Sequence, residues 1–146
     1  MRSLTANRHA SRGQALVELG IIILVLVGLG MGIVEFGRMF MIVNVITHAA
    51  RDGARAAAAT PPSGRGSGGT ISNMGAIQTQ VLNQIATVTP SGGFSVTVAQ
   101  PSAGSTGGIP MVTVSVSGAV PYVVLPGLAG SNLSIARTVS FRDEGR

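Results

Sequence analysis

A polar, basic stretch opens the chain, and a long apolar run follows it. Met1–Gly13 carries no acidic residue, and Leu19–Val34 carries no charge of either sign. At about 1.5 Å per residue, a helix that starts at Gln14 and ends with this run approaches the roughly 30 Å hydrocarbon thickness of a bilayer. The pattern predicts one membrane-spanning helix, and the basic flank predicts a cytoplasmic N-terminus.

The predicted helix continues well beyond the membrane. No proline occurs before Pro61, so a single helix is expected over residues 14–58, of which about 14–35 lie in the membrane. Its outer half becomes amphipathic, with small and apolar residues at helical spacing on one face. This face comprises Ile42, Ile46, Ala49, Ala50, Gly53 and Ala57. Small residues there favour close packing against an outer domain or a neighbouring helix.

Residues 59–69 are predicted to form a flexible connector, because Thr60–Gly69 reads TPPSGRGSGG. Residues 70–146 then form a small domain outside the membrane. Apolar residues recur at helical spacing in its first part, which predicts an amphipathic second helix that ends at Pro90. These residues are Met74, Ile77, Val81, Ile85 and Val88.

The rest of the outer domain shows period-two alternation of β-branched and small polar residues. The pattern predicts about three strands, around Phe94–Val98, Val112–Val116 and Leu133–Phe141. The expected fold class is α+β, with an antiparallel sheet covered on its apolar face by the second helix and the outer half of the first. Arg137 interrupts the third alternation and is expected at a sheet edge with its charged end in solvent.

Composition excludes several classes of function. All ten basic residues are Arg and the net charge is +5, but the Arg are spread along the chain and few aromatic residues accompany them. Nucleic-acid binding is therefore not expected. The outer domain has no His or Cys, and its two acids are Asp143 and Glu144. We expect no enzymatic activity, no catalytic or metal site and no cofactor.

Glu18 lies at the inner border of the predicted membrane helix, where a carboxylate is costly. It stands at the fifth position after Gly13, counting from Gln14. This spacing is similar to the class III signal of type IV prepilins, in which a membrane peptidase cuts after Gly and the fifth mature residue is Glu. The resemblance implies cleavage between Gly13 and Gln14. The Glu18 carboxylate would then neutralise the new α-amine of a neighbouring subunit inside an apolar filament.

Three segments extend this likeness. Arg12–Glu18 reads RGQALVE, Val34–Arg38 reads VEFGR and Ala49–Arg55 reads AARDGAR. In combination they resemble the start of TadE-like proteins of Flp (Tad) pilus systems. The resemblance implies a minor pilin or pseudopilin in the assembly of adhesive type IV pili. Its partners would be the membrane, a prepilin peptidase, other pilin subunits and the pilus assembly platform, in a homo- or hetero-oligomer.

Two features of the membrane helix are candidates for a role in such assembly. Gly28, Gly30 and Gly32 cluster, and the first and last have the small-xxx-small spacing of packed membrane helices. They favour either close packing between subunits or local helix opening on transfer to a filament. Glu35 and Arg38, one turn apart, are expected to form an interfacial pair at the outer membrane border or a pair between subunits.

Three functions stay open on sequence grounds. The first is the processed pilin-like subunit, a single-pass protein of the inner membrane whose C-terminal domain is periplasmic, or extracellular in a pilus. The second is an uncleaved, signal-anchored envelope or adhesion protein that forms no filament. The third is a binding domain released by ordinary signal cleavage. The mass of the protein from native membranes discriminates between them.

Overall fold

The computed structural model describes residues 7–89, 93–100, 111–124 and 132–143. Helix α1 (Asn7–Ala58) is followed by two 3-10 turns, Pro62–Gly64 and Ser67–Gly69, and by helix α2 (Met74–Ala86). Strands β1 (Phe94–Ala99), β2 (Met111–Pro121) and β3 (Asn132–Arg142) complete the order. The predicted α+β class, with a long apolar helix, a second helix and a three-stranded antiparallel sheet, is confirmed.

Helix α1 differs from the prediction at its N-terminal end. Within the described residues it is helical from Asn7 onwards, so the helix includes residues before the expected start near Gln14. It ends at Ala58, as expected. Helix α2 ends at Ala86, before the predicted stop at Pro90, which lies outside the described residues.

Strand β2 lies at the centre of the sheet, in the order β1-β2-β3. Four of its valines are almost fully buried on the core face: Val112, Val114, Val116 and Val120. The ring of Phe94 covers Gly118, its partner in the register, and a side chain at Gly118 would collide with that ring. The close approach of ring and backbone therefore requires glycine at this position.

The two helices pack on the same core face of the sheet. All six positions predicted for the apolar face of α1 are buried, and so are Ile77, Val81 and Ile85 of α2. A Cβ at Gly53 would overlap the Val81 side chain, so glycine sets the closeness of α1 and α2. Arg137 is exposed on the edge strand β3, as predicted.

The connector is folded rather than a loose tether. The Arg65 guanidinium forms a bidentate ion pair with Asp143, in which the Nη1–Oδ2 distance is 3.0 Å and the Nη2–Oδ1 distance is 2.6 Å. The exposed fractions of the two side chains are 4% and 0%. Arg65 also donates to the Thr60 and Gly69 carbonyls, and Gln100 donates to Asp143 and to Gly69. These bonds satisfy connector carbonyls that a Gly-rich sequence would otherwise leave to water.

We predict that Arg65→Met lowers the free energy of unfolding by about 3–5 kcal/mol, because it removes a bidentate ion-pair partner from a buried carboxylate. Far-UV circular dichroism of the full chain in detergent during chemical unfolding measures the change. The matched control is Arg51→Met, which removes an exposed Arg from α1. A loss no greater than that of the control would contradict the structural role of the pair. The double variant Arg65→Met/Asp143→Leu should recover part of the loss.

Candidate functional site

The inner part of helix α1 is uncovered. Every residue from Gly13 to Met31 is exposed, including large side chains such as Leu16 at 69% and Leu24 at 74%. Among the described residues, one helix is long and apolar enough to cross a membrane, Gly13–Ala58, with a mean hydropathy of 2.6 in its most apolar window. A continuous apolar surface of this size indicates contact with lipid or with other proteins.

The predicted cleavage and neutralisation residues all lie on this uncovered helix. Gly13 and Gln14 are helical and exposed, and so is Glu18. Gln14 and Glu18 are one turn apart, which places them on the same side of α1. Within the described part of the chain, no hydrogen bond or ion pair reaches the Glu18 carboxylate. The fold therefore supplies no partner there for its charge.

The glycine cluster lies within a continuous helix. Gly28 and Gly30 are exposed and Gly32 is half-buried. A Cβ built at any of the three meets no atom within 4 Å. The described residues of the folded chain thus offer no packing reason for these glycines. Both hypotheses, close packing between subunits and helix opening, concern the assembled state and stay predictions.

Glu35 and Arg38 form the predicted pair, with 2.6 Å between Arg38 Nη2 and Glu35 Oε1. The side chain of Glu35 is only 6% exposed and that of Arg38 is 31% exposed. The backbone N–H of Val124 donates to Glu35 Oε2 at 2.8 Å, and that of Val123 does so at 3.3 Å. Arg38 Nη2 also donates to the Pro121 carbonyl at 2.6 Å. We call this set of five residues the Glu35 junction.

The junction joins the end of β2 to the end of the apolar run. Sequence reasoning found the Glu35–Arg38 pair from its i,i+3 spacing but missed the partners in the loop after β2. Those partners are backbone groups, which leave no signature in residue types. Because the carboxylate accepts hydrogen bonds from both Arg38 and the loop, the pair stabilises the position of the outer domain on α1.

A second apolar surface lies on α1 just past the junction. Phe36, Phe40 and Met41 are 74%, 60% and 57% exposed. They follow directly on the apolar run, and the outer domain covers the other side of the helix at Met39 and Ile42. The helix therefore presents one apolar side to its own domain and another to its surroundings.

We predict that Glu35→Ala accelerates amide hydrogen exchange at Val123 and Val124 by about tenfold, because both N–H groups lose a charged acceptor. Exchange of the full chain in detergent, resolved by fragment mass spectrometry or NMR, measures the effect. Asp52→Asn, which removes an exposed carboxylate from the same helix, is the matched control and should leave both amides unchanged. Unaltered exchange in Glu35→Ala would refute the junction.

Comparison with known proteins identifies a family that resembles part of the chain. Residues 13–55 match the family model of TadE-like proteins. The match contains Glu18, the glycine cluster and the Glu35–Arg38 pair, and it confirms the resemblance of this segment to that family. No curated protein and no solved structure shows a significant match to the chain.

Proposed function

We propose that this chain, whose residues 13–55 are TadE-like, is a structural pilin-like subunit of a Tad (Flp) type IV pilus, acting as a minor pilin or pseudopilin. The family match indicates a pilin-like protein associated with such a pilus. The structural observation that supports the proposal is the division of helix α1 into two parts. Its inner part is apolar and uncovered, whereas its outer part forms the core of a small domain. This division suits a subunit that is held first by lipid and then by neighbouring helices.

Processing is the first step of the proposed function. A prepilin peptidase would cut between Gly13 and Gln14 and create an α-amine one turn from Glu18. Within an apolar surrounding, an isolated amine or carboxylate costs several kcal/mol, and pairing the two offsets much of that cost. Glu18 is suited to this role because no group in the described residues engages it.

Assembly is the second step. The subunit would sit in the inner membrane with its N-terminus cytoplasmic and its C-terminal domain periplasmic, and become extracellular in a pilus. Its partners would be other pilin subunits and the assembly platform. The exposed Phe40 and Met41 support this proposal, because they lie beyond the apolar run and would need cover from another protein. The proposed role is structural, with no reaction catalysed and no cofactor, metal or nucleic acid bound.

We predict that Gly13→Val blocks processing, because a branched side chain replaces the small residue before the scissile bond. Intact-mass spectrometry of protein from native membranes should find the parent chain without Met1–Gly13 and the variant at full length. Gly20→Val, the same substitution further along the uncovered helix, is the control and should be processed. A full-length parent chain would favour the uncleaved anchor, and loss of most of the apolar run would favour a secreted domain.

We predict that Glu18→Gln is processed normally but enters pili about tenfold less or worse, because the α-amine of a neighbour is left without a counter-charge. Immunoblots of sheared pili against the membrane fraction measure the ratio. Asp52→Asn again serves as the control carboxylate. Parental levels of the Gln variant in pili, or in the pilus-assembly complex, would show that amine neutralisation does not drive assembly.

A further inference from the structure

The length of the apolar run defines the position along helix α1 at which the outer boundary of a bilayer's hydrocarbon core would lie. From Gln14 to Val34 the helix extends about 32 Å at about 1.5 Å per residue, close to the roughly 30 Å hydrocarbon core of a bilayer. Glu35 is the next residue. If the helix spans a bilayer, Glu35 therefore lies at the outer boundary between acyl chains and headgroups.

The Glu35 junction places the start of the loop after β2 at this same boundary. Glu35 Oε2 accepts hydrogen bonds from the backbone N–H of Val124 at 2.8 Å and of Val123 at 3.3 Å. Side chains on a helix lean towards its N-terminus, so this carboxylate lies level with, or on the membrane side of, its own Cα. The start of the loop is therefore positioned at the boundary and not above it.

The chemistry of the residues at this height fits a lipid surface. The Val123 side chain is 63% exposed, and Phe36 on the adjacent helix is 74% exposed. The segment Pro121–Val124 carries no charge. Arg38 lies about 6 Å beyond Val34, within the headgroup layer, and keeps 31% of its side chain exposed. Its Nη2 donates to Glu35 and to the Pro121 carbonyl, so the exposed part of the side chain beside this pair is what would meet lipid phosphates.

We propose that the end of the outer domain at the Glu35 junction docks on the lipid bilayer, with Val123 and Phe36 at the acyl–headgroup boundary and Arg38 among the phosphates. The proposal rests on the proposed membrane-spanning role of α1. It adds a second contact with the membrane, made by the β-sheet domain. The bilayer is the partner because the junction is continuous with the membrane span, so lipid lies at this height whenever the helix is inserted.

The chain contains no cysteine, so single cysteines can carry a fluorophore. We would reconstitute the full chain in phosphatidylcholine–phosphatidylglycerol vesicles that contain lipid nitroxides either near the headgroup or at mid-chain. The label on Val123→Cys tests docking. Met111→Cys, at the opposite end of β2 and also an exposed apolar residue, is the matched control. Leu24→Cys, in the middle of the apolar run, tests the membrane span separately.

Headgroup nitroxides should quench the Val123 label severalfold more than the Met111 label, and adding Glu35→Ala should reduce this difference. Mid-chain nitroxides should quench the Leu24 label. Equal quenching of the Val123 and Met111 labels, with Leu24 quenched, would overturn docking and leave the span intact. An unquenched Leu24 label would overturn the span and docking together. Weak quenching at Val123 that strengthens when the protein is diluted in lipid would instead overturn docking and assign the surface to a subunit contact.

Discussion

The constraint on which the structure depends is the burial of one carboxylate, that of Glu35, where an apolar helix meets a polar domain. A charge at this border is costly unless it is paired and hydrogen-bonded. Arg38 supplies the counter-charge, and the backbone N–H groups of Val123 and Val124 supply further bonds. The outer domain therefore supplies hydrogen bonds to the Glu35 carboxylate that the helix alone cannot supply. These bonds hold the loop after β2 against the last turn of the apolar run.

Helix α1 serves two surroundings because its side chains change size along its length. The inner part presents large aliphatic residues on every side, which suits lipid or a bundle of similar helices. The outer part places small residues such as Ala50 and Gly53 on its buried side, so α2 approaches closely enough for Val81 to contact the backbone. A single uninterrupted helix thus fixes the orientation of the apolar inner part relative to the domain core.

The elements of the fold could be predicted because each follows from a local period: 3.6 for the helices and two for the strands. Contacts between distant residues could not be predicted in this way. The Arg65–Asp143 pair joins residues 78 positions apart, and Val124 lies 89 positions from Glu35. The connector illustrates the difference. Its glycines and prolines predict flexibility. In the structure, the buried Arg65 orders the connector by donating hydrogen bonds to two of its backbone carbonyls, and backbone groups cannot be recognised from residue types. The predicted start of α1 at about Gln14 came too late, because helical hydrogen bonding does not depend on the change from polar to apolar residues and already includes Asn7.

The two acids in the apolar half of helix α1, Glu18 and Glu35, differ in whether the described residues supply a partner for the charge. Glu35 is buried, and its oxygens accept hydrogen bonds from groups of the same chain. Glu18 is exposed, and no described residue engages it. Within an apolar phase both charges cost free energy, and under the proposed function the partner of Glu18 would be a processed N-terminus of a neighbouring subunit. We therefore assign the two carboxylates separate roles. Glu35 holds the loop after β2 against α1, and under the proposed function Glu18 would be the acid whose charge drives association.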